Sequence, residues 1–466
     1  MVKRLTAGDF FPSKISAASL HATIYSSTPN AQRPALRKQF EALAKDEMPM
    51  VRRAAFAHLP KLAAEVEKEV LMMEISPIFN ELSADVQESV RELAVENAVS
   101  MVKNLSPDEA TKLFGTFVDN VQNETSRSMR THKAKHFVTL TSAMHSVRPM
   151  RDRVQAFLRL MAIDTEIEVR NEASHNVAAY CAHLDSGTLL AQVLPVFREL
   201  STMPPAGADQ ELFSMNQVVR ESIAEQVSSV APILGPDATL SELLPLIKVF
   251  LQDESIEIRR KALGSMAPII ETLGPESTEQ NVLPQALQMA RDPMWRVRLA
   301  VVETLPVYAK NLGLELFNSS LKDIQIAALH DNTARIREAA VENLTTLSKL
   351  FGDMWTAEAM LPVIRTAAQG QGAMMHLHRI MAVQAVGAVA TSMQGQALEA
   401  LVNDVVVPLS RDPVAAVRIA SAATLHKISK GNESTYVRDT LRPILVELSA
   451  DSDPDVKILA DLALQG

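Results

Sequence analysis

The chain has 466 residues, 47% of them hydrophobic and 22% charged, so it has the apolar content for a packed core and does not read as disordered. A net charge of −9 argues against nucleic acid or an anionic membrane as main partner, and a single cysteine, Cys181, excludes a disulfide framework or a cysteine metal cluster. Aromatics at 4%, against plentiful Leu, Ala, Val and Met, favour small interlocking helices over sheets.

Taken in order, the chain repeats one phrase. It begins Met1-Val2-Lys3-Arg4-Leu5-Thr6, with no apolar stretch of the kind that forms a signal peptide, and no uncharged apolar run long enough to span a bilayer follows. The expected location is the cytoplasm, with the nucleus open as well. Asp46 is followed five residues later by Val51 and then Arg52, and Asp85 leads in the same way to Val90 and Arg91. Asp164 leads to Val169 and Arg170, Asp253 to Ile258 and Arg259, and Asp292 to Val297 and Arg298. Asp331 leads to Ile336 and Arg337, Asp412 to Val417 and Arg418, and Asp451 to Val456 and Lys457. Weaker turns begin near Asp9, Glu124, Ser214 and Gly372, the last paired with His378.

The twelve turns are spaced by 37–41 residues, apart from one 50-residue step that contains an extra stretch at 203–213. A period near 39 with two helices per unit predicts an all-α HEAT-type α-solenoid of about twelve repeats, an α-α superhelix bent into a horseshoe. The array is a single one over 1–466, with functional halves expected at 1–250 and 251–466. The phrase reads as a turn feeding the second helix: Asp caps free N–H groups, and Pro sits at an early helical position. Leu234-Gly235, Leu273-Gly274, Leu312-Gly313 and Phe351-Gly352 are each 39 apart and predict the ends of second helices. Pro77, Pro245, Pro284 and Pro443 fall inside first helices and predict bends there.

The search for chemistry returns little. No His-Glu-x-x-His, Walker loop or Gly-x-Ser-x-Gly occurs, and Gly370-Gln371-Gly372 lacks the last glycine of a dinucleotide loop. His376 and His378 have no acidic or cysteine ligand nearby, so a turn pair is expected rather than a metal site. Cys181 follows Tyr180 in an apolar helix and reads as a buried structural thiol. No catalytic residue, metal or cofactor is expected. Asp253, Asp292, Asp331 and Asp412, with Arg259, Arg298 and Arg337, read as a ladder in which each arginine reaches the aspartate of a neighbouring turn. As exposed ion pairs these would contribute about 0–1 kcal/mol each. The residues between Asp and Val project along one ridge, and Trp295 there is a candidate partner contact, since Trp and Arg dominate interface energetics.

These phrases resemble one family. Asp292 to Ala300, Pro49-Met50-Val51-Arg52-Arg53-Ala54-Ala55, Arg335-Ile336-Arg337-Glu338-Ala339-Ala340, Leu377-His378-Arg379 and Asp412 to Arg418 resemble the scaffolding (A) subunit of type 2A protein phosphatase. So do Val2-Lys3-Arg4-Leu5 with Gly8-Asp9-Phe10, and Asp453-Pro454-Asp455-Val456-Lys457. The resemblance implies a scaffold without activity of its own. It implies that the C-terminal turns hold the phosphatase catalytic subunit, through Trp295, Arg296, Arg298, Arg335, Ile336, Leu377, His378, Arg379, Val414, Arg418 and Asp455. N-terminal turns would hold a regulatory B-type subunit through Pro49, Met50, Arg52, Arg53 and Arg127. The family has fifteen repeats and this chain starts at the family's fourth, so the resemblance implies a truncated regulatory platform. A transport receptor of the importin type, and a shortened paralogue that binds only the catalytic subunit, are the rival readings.

Overall fold

Each repeat closes its apolar faces by stacking, so the fold follows from how one unit meets the next. The computed structural model describes residues 2–8, 10–119, 124–144, 151–201, 216–370, 375–393, 395–430 and 435–465. Asp9, the stretch 203–213, Ser214 and Gln371-Gly372-Ala373 lie outside the described residues. Among the described residues the chain is helical, with no strand. It divides into two compact units, Met1–Val249 and Phe250–Gly466.

Within the second unit, a first helix such as Lys322–Leu329 turns into a second, Ala334–Trp355, that runs back along it. The second helices then pack in series: the one beginning at Trp295 on that beginning at Ala334, then His376–Val389, Ala415–Ser429 and Pro454–Gln465. The first unit repeats the pattern through Phe11–Ile24, Pro49–Ala63, Leu93–Val102, Arg127–Ala143 and Ile167–Ser174. Val297, Val301, Leu305 and Tyr308, spaced for one helical face, are all buried.

The four in-phase glycines make the turns between repeats. Gly313 has φ 78° and ψ 179°, and Gly235, Gly274 and Gly352 are nearly identical. Positive φ with extended ψ is open essentially to glycine alone, so one residue ends a helix and re-aims the chain. This differs from the left-handed helical cap that the spacing suggests. A Cβ at any of the four would meet nothing within 4 Å. The requirement therefore lies in the backbone dihedrals, not in crowding.

The prolines bend the first helices by a specific device. Leu71–Ile75, Thr239–Leu243 and Val437–Leu441 are single π-helical turns immediately before the short helices that carry Pro77, Pro245 and Pro443. Proline lacks the N–H of the ladder and its ring clashes with the carbonyl four residues back; one extra residue in the turn relieves both. At Pro284 the break is instead at Val282, with φ −109°.

Two prolines inside second helices have a different remedy. Pro60 and Pro306 cannot bond the carbonyls of Phe56 and Val302. The side chains of Asn97 and Asn343, each 41 residues on in the next repeat, donate to those carbonyls at 2.8 and 2.7 Å. Both asparagines are buried, so each pair ties neighbouring repeats with a polar bond that the apolar core would otherwise have to leave unmade.

Residues 217–251 form a helical run long and apolar enough to cross a bilayer by length and composition, contrary to the sequence expectation. Gly235 breaks its axis, and Val219, Ile223, Val227, Val230 and Leu234 are buried in packing, which is why it is so apolar.

Candidate functional site

The repeated aspartate works differently from a helix cap. Asp292 Oδ1 accepts the N–H of Met294, two residues on, at 2.8 Å, and the helix itself starts at Trp295 with Met294 in the cap position and no side-chain cap. Pro293 therefore precedes the helix and is not its first residue. The same two-residue bond is made by Asp46, Asp85, Asp164, Asp253, Asp331, Asp412 and Asp451. This turn holds the stretch of backbone between the helices, and the carboxylate keeps one oxygen and one face free for a neighbour.

The arginine six residues on uses that geometry. Arg298 Nη1 donates to its own turn's carbonyls, Asp292 at 3.0 Å and Pro293 at 3.2 Å, and its Nε and Nη2 take both oxygens of Asp331 at 3.1 and 3.2 Å. Arg418 grips Asp451 at 2.6 and 2.8 Å, and Arg379 grips Asp412 at 2.6 and 3.1 Å. Arg259 approaches Asp292 at 3.4 Å. In the first unit Arg52 holds Asp85, Arg130 holds Asp164, and Lys14 stands in for arginine against Asp46. The ladder is thus real, but it is not a set of exposed pairs. The side chains of Arg379 and Asp412 are 8% and 4% exposed, so the figure for surface pairs does not apply to them. The Arg418 hydrogen bonds hold the Asp451 carboxyl down to about 2, and those of Arg52 hold Asp85 below the usual carboxylate range. At Asp331 burial raises the value, but the bonds from Arg298 and Thr333 outweigh it and the net shift is downward.

One turn departs from the expected phase. The ladder arginine of the repeat assigned to Gly372 and His378 is Arg379, and the residue in the aspartate's place is Gly370. Arg379 Nη1 donates to the Gly370 carbonyl at 2.9 Å, across nine residues where other turns have six. His378 instead packs edge-on against His330, ring centres 5.0 Å apart. Burial and then the His378 ring hold His330 below its usual value.

The ridge residues fall into two groups. Trp295 is half-buried at the start of its helix, with the Arg296 guanidinium 4.7 Å above its ring. Leu377, Asp455, Met50, Arg53, Arg127, Arg296 and Arg335 are exposed, and Pro49, Val414 and His378 are half-buried. Arg335 lies among Glu303, Glu338 and Glu342 at 3.5–3.6 Å, Arg127 pairs with Glu168, and Arg53 donates to the Ser89 carbonyl. Ile336 and Arg379, expected as contact residues, are buried: Ile336 fills the core at the position of Val297, and Arg379 is enclosed in its rung. Arg52, Arg298 and Arg418 are likewise taken up by the ladder.

Sequence reasoning passed over a further feature. Met48, Met294 and Met375 occupy helix cap positions and are all exposed. Caps favour Ser, Thr, Asp or Asn. A flexible apolar side chain there adds nothing to the helix but is well suited to a partner's surface. For Met48 and Met294 the signal was present as an apolar residue two after the turn aspartate. Cys181 is fully buried, and desolvation pushes its thiol up to about 12, which removes it as a nucleophile at neutral pH.

Comparisons with known proteins agree with this architecture. The HEAT repeat family matches residues 282–312. The beta isoform of the human 65 kDa regulatory subunit of serine/threonine-protein phosphatase 2A is 33% identical over 270 residues, 57% of this chain and 43% of that protein. The corresponding PP2A regulatory subunit of Schizosaccharomyces pombe is 37% identical over 115 residues, 24% of this chain and 20% of that protein. The matched stretches thus span less than half of these relatives. Among solved structures, the karyopherin Kap121p bound to the SUMO protease Ulp1p superposes with a TM-score of 0.64 at 14% identity, covering 99% of this chain and 48% of that one, a likeness of fold.

Proposed function

We propose that this HEAT-repeat chain, a homologue of the 65 kDa regulatory subunits of phosphatase 2A, is a non-enzymatic scaffold that holds the type 2A catalytic subunit on the turn ridge of its second unit. The observation that carries this reading is the Met294-Trp295-Arg296 turn, where Met294 and Arg296 are exposed and Trp295 is half-buried. An apolar cap residue, an aromatic ring and a guanidinium stacked on it stand together where a helix start normally carries a polar cap. Trp and Arg are the residues that most often anchor interfaces, and Leu377 and Met375 extend the same apolar edge two turns on. The ladder beneath supports the reading by fixing the spacing of successive turns, so that contacts one repeat apart meet a partner together.

A regulatory subunit would dock in the first unit, where Met48, Pro49, Met50 and Arg53 form the corresponding turn. Met50 and Arg53 are exposed, and Arg52 is committed to Asp85.

The test is capture of the phosphatase 2A catalytic subunit by the full chain, against a Met294→Ala, Trp295→Ala variant. These substitutions leave every rung intact, so loss of capture with an unchanged circular dichroism spectrum reports the surface alone. The variant should bind at least tenfold more weakly, as hot-spot residues cost about 2 kcal/mol or more each. Capture undiminished by the variant would move the site away from this turn, and no capture by either chain would overturn the reading.

A further inference from the structure

Among the described residues, no carboxylate is bonded ahead of Arg91, Arg170 or Arg337. For Arg91 the equivalent acid is Glu124, which turns instead to the N–H of Ser126 at 3.1 Å and to Lys133 at 3.7 Å. For Arg170 the equivalent position lies outside the described residues, and its Nε and Nη2 are closed off from solvent. Arg337 is the informative case.

Its rung position is Gly370, identified in two independent ways. Gly370 lies 33 residues beyond Arg337, the separation found for Arg52–Asp85, Arg298–Asp331, Arg379–Asp412 and Arg418–Asp451. Its carbonyl also accepts from Arg379 Nη1 at 2.9 Å, as the carbonyl of Asp292 accepts from Arg298 at 3.0 Å. The backbone of a rung is present, and the carboxylate is missing.

Arg337 is meanwhile held as in a closed rung. Its Nη1 donates to the carbonyls of Asp331 and Asn332 at 2.8 and 3.1 Å, the anchorage seen for Arg298 and Arg418. The Nε and Nη2 edge is thereby kept in the orientation that elsewhere grips a carboxylate, and among the described residues nothing accepts from it. Arg337 is half-buried. It sits against the turn that begins at Asp331, in the ladder beneath the ridge. A planar fork anchored along one edge has already lost most of the freedom that binding would cost it.

We propose that this open rung is a receptor for a carboxylate supplied by a protein partner, an Asp or Glu side chain of the chain that docks on the turn ridge of the second unit. The inference rests on the ridge being a docking surface. The incoming carboxylate completes the ladder in trans: one oxygen to Nε, one to Nη2, as the aspartates do in cis. A free carboxylate would gain only this one bidentate contact. One carried by a docked partner arrives at high effective concentration, so the rung sets register as well as strength.

Gly370→Asp tests this by filling the rung from within. A Cβ there would lie 3.3 Å from the Ala367 carbonyl and from Met375 Cβ, so a shift of a few tenths of an ångström is needed. Arg337→Gln provides a second route that removes the fork without adding bulk. Calorimetry of the full chain with the phosphatase 2A catalytic subunit should show both variants, still helical by circular dichroism, binding roughly tenfold more weakly, the usual scale of a charge-assisted pair. Binding equal to the wild type in both overturns the open rung and leaves the scaffold reading standing. If the wild type itself does not bind, the scaffold reading falls, and a blocked hexaglutamate peptide decides the rung. The Arg337 Nε–H resonance, identified by its loss in Arg337→Lys, should then shift saturably in the wild type and stay fixed in Gly370→Asp. Absence of a shift in the wild type overturns the proposal.

Discussion

Arg379 and Arg337 hold equivalent places in neighbouring repeats of the second unit, and their guanidiniums meet different ends. Arg379 closes a two-pronged bond on Asp412 and is buried. Arg337 faces Gly370 and keeps its fork open. Both are anchored through Nη1 on backbone carbonyls, Gly370 for one and Asp331 for the other. Positioning the arginine and supplying its carboxylate are therefore separate tasks, done by different turns. A glycine at one turn can open a rung without disturbing the arginine that waits for it.

The comparison breaks most visibly at the closed rung. Asp412→Ala removes the carboxylate from an enclosed guanidinium, and should cost about 3 kcal/mol, in the range for breaking an enclosed ion pair. Urea unfolding of the full chain reads this as a lower midpoint for the second unit. Arg337→Gln, which breaks no rung, should move that midpoint far less; equal losses would mean that backbone anchoring, not the rung, is what stabilises the joint.

A smaller effect sharpens the same division between what a repeat makes for itself and what its neighbour supplies. Asn343→Ala strands the Val302 carbonyl that Pro306 leaves unbonded, at a cost of about 1–3 kcal/mol. Pro306→Ala in that background restores an N–H within the helix and should recover much of the loss. A double-mutant cycle with no coupling would show that the carbonyl finds another partner.

The smallest expected effect is acid sensitivity. Asp451 titrates at about 2 in the folded chain because Arg418 bonds its charged form, below the ordinary carboxylate value of 3.8. A depressed folded value stabilises above the unfolded value, and that stabilisation is lost as pH falls through about 2. Hydrogen exchange corrected for intrinsic rate should show protection falling between pH 5 and pH 2 around the Arg418–Asp451 rung. The Arg337–Gly370 joint has no carboxylate to protonate and should not follow it. Parallel loss at both would remove the rungs as the cause.

Much of the fold was legible because it is written in short-range chemistry. The 39-residue spacing of Leu312-Gly313 and its counterparts marks backbone positions that only glycine fills, and Pro77 or Pro443 marks a bend wherever it stands in a helix. The ladder was legible in part: Asp and Arg at fixed spacing named the partners, but not their enclosure, since burial depends on what the neighbouring repeat lays over them. Ile336 and Arg379 came in as contact residues through the family resemblance, whereas the period itself puts Ile336 at the core position of Val297 and Arg379 in a rung. The turn at Gly370 was mis-phased because three extra residues separate it from Arg379, and a lone glycine carries no sign that it occupies an aspartate's place.

Period, helix type, turn chemistry and the pairing rule of the ladder belong to the sequence by itself, because each follows from dihedral preference or from a side chain reaching its own backbone. Tertiary structure decided which asparagine rescues which proline-orphaned carbonyl, which rungs are shut from water, and that Arg337 has been left open. Those depend on groups about 33 to 41 residues apart coming within hydrogen-bonding distance, and only the stacking of one repeat on the next brings them there.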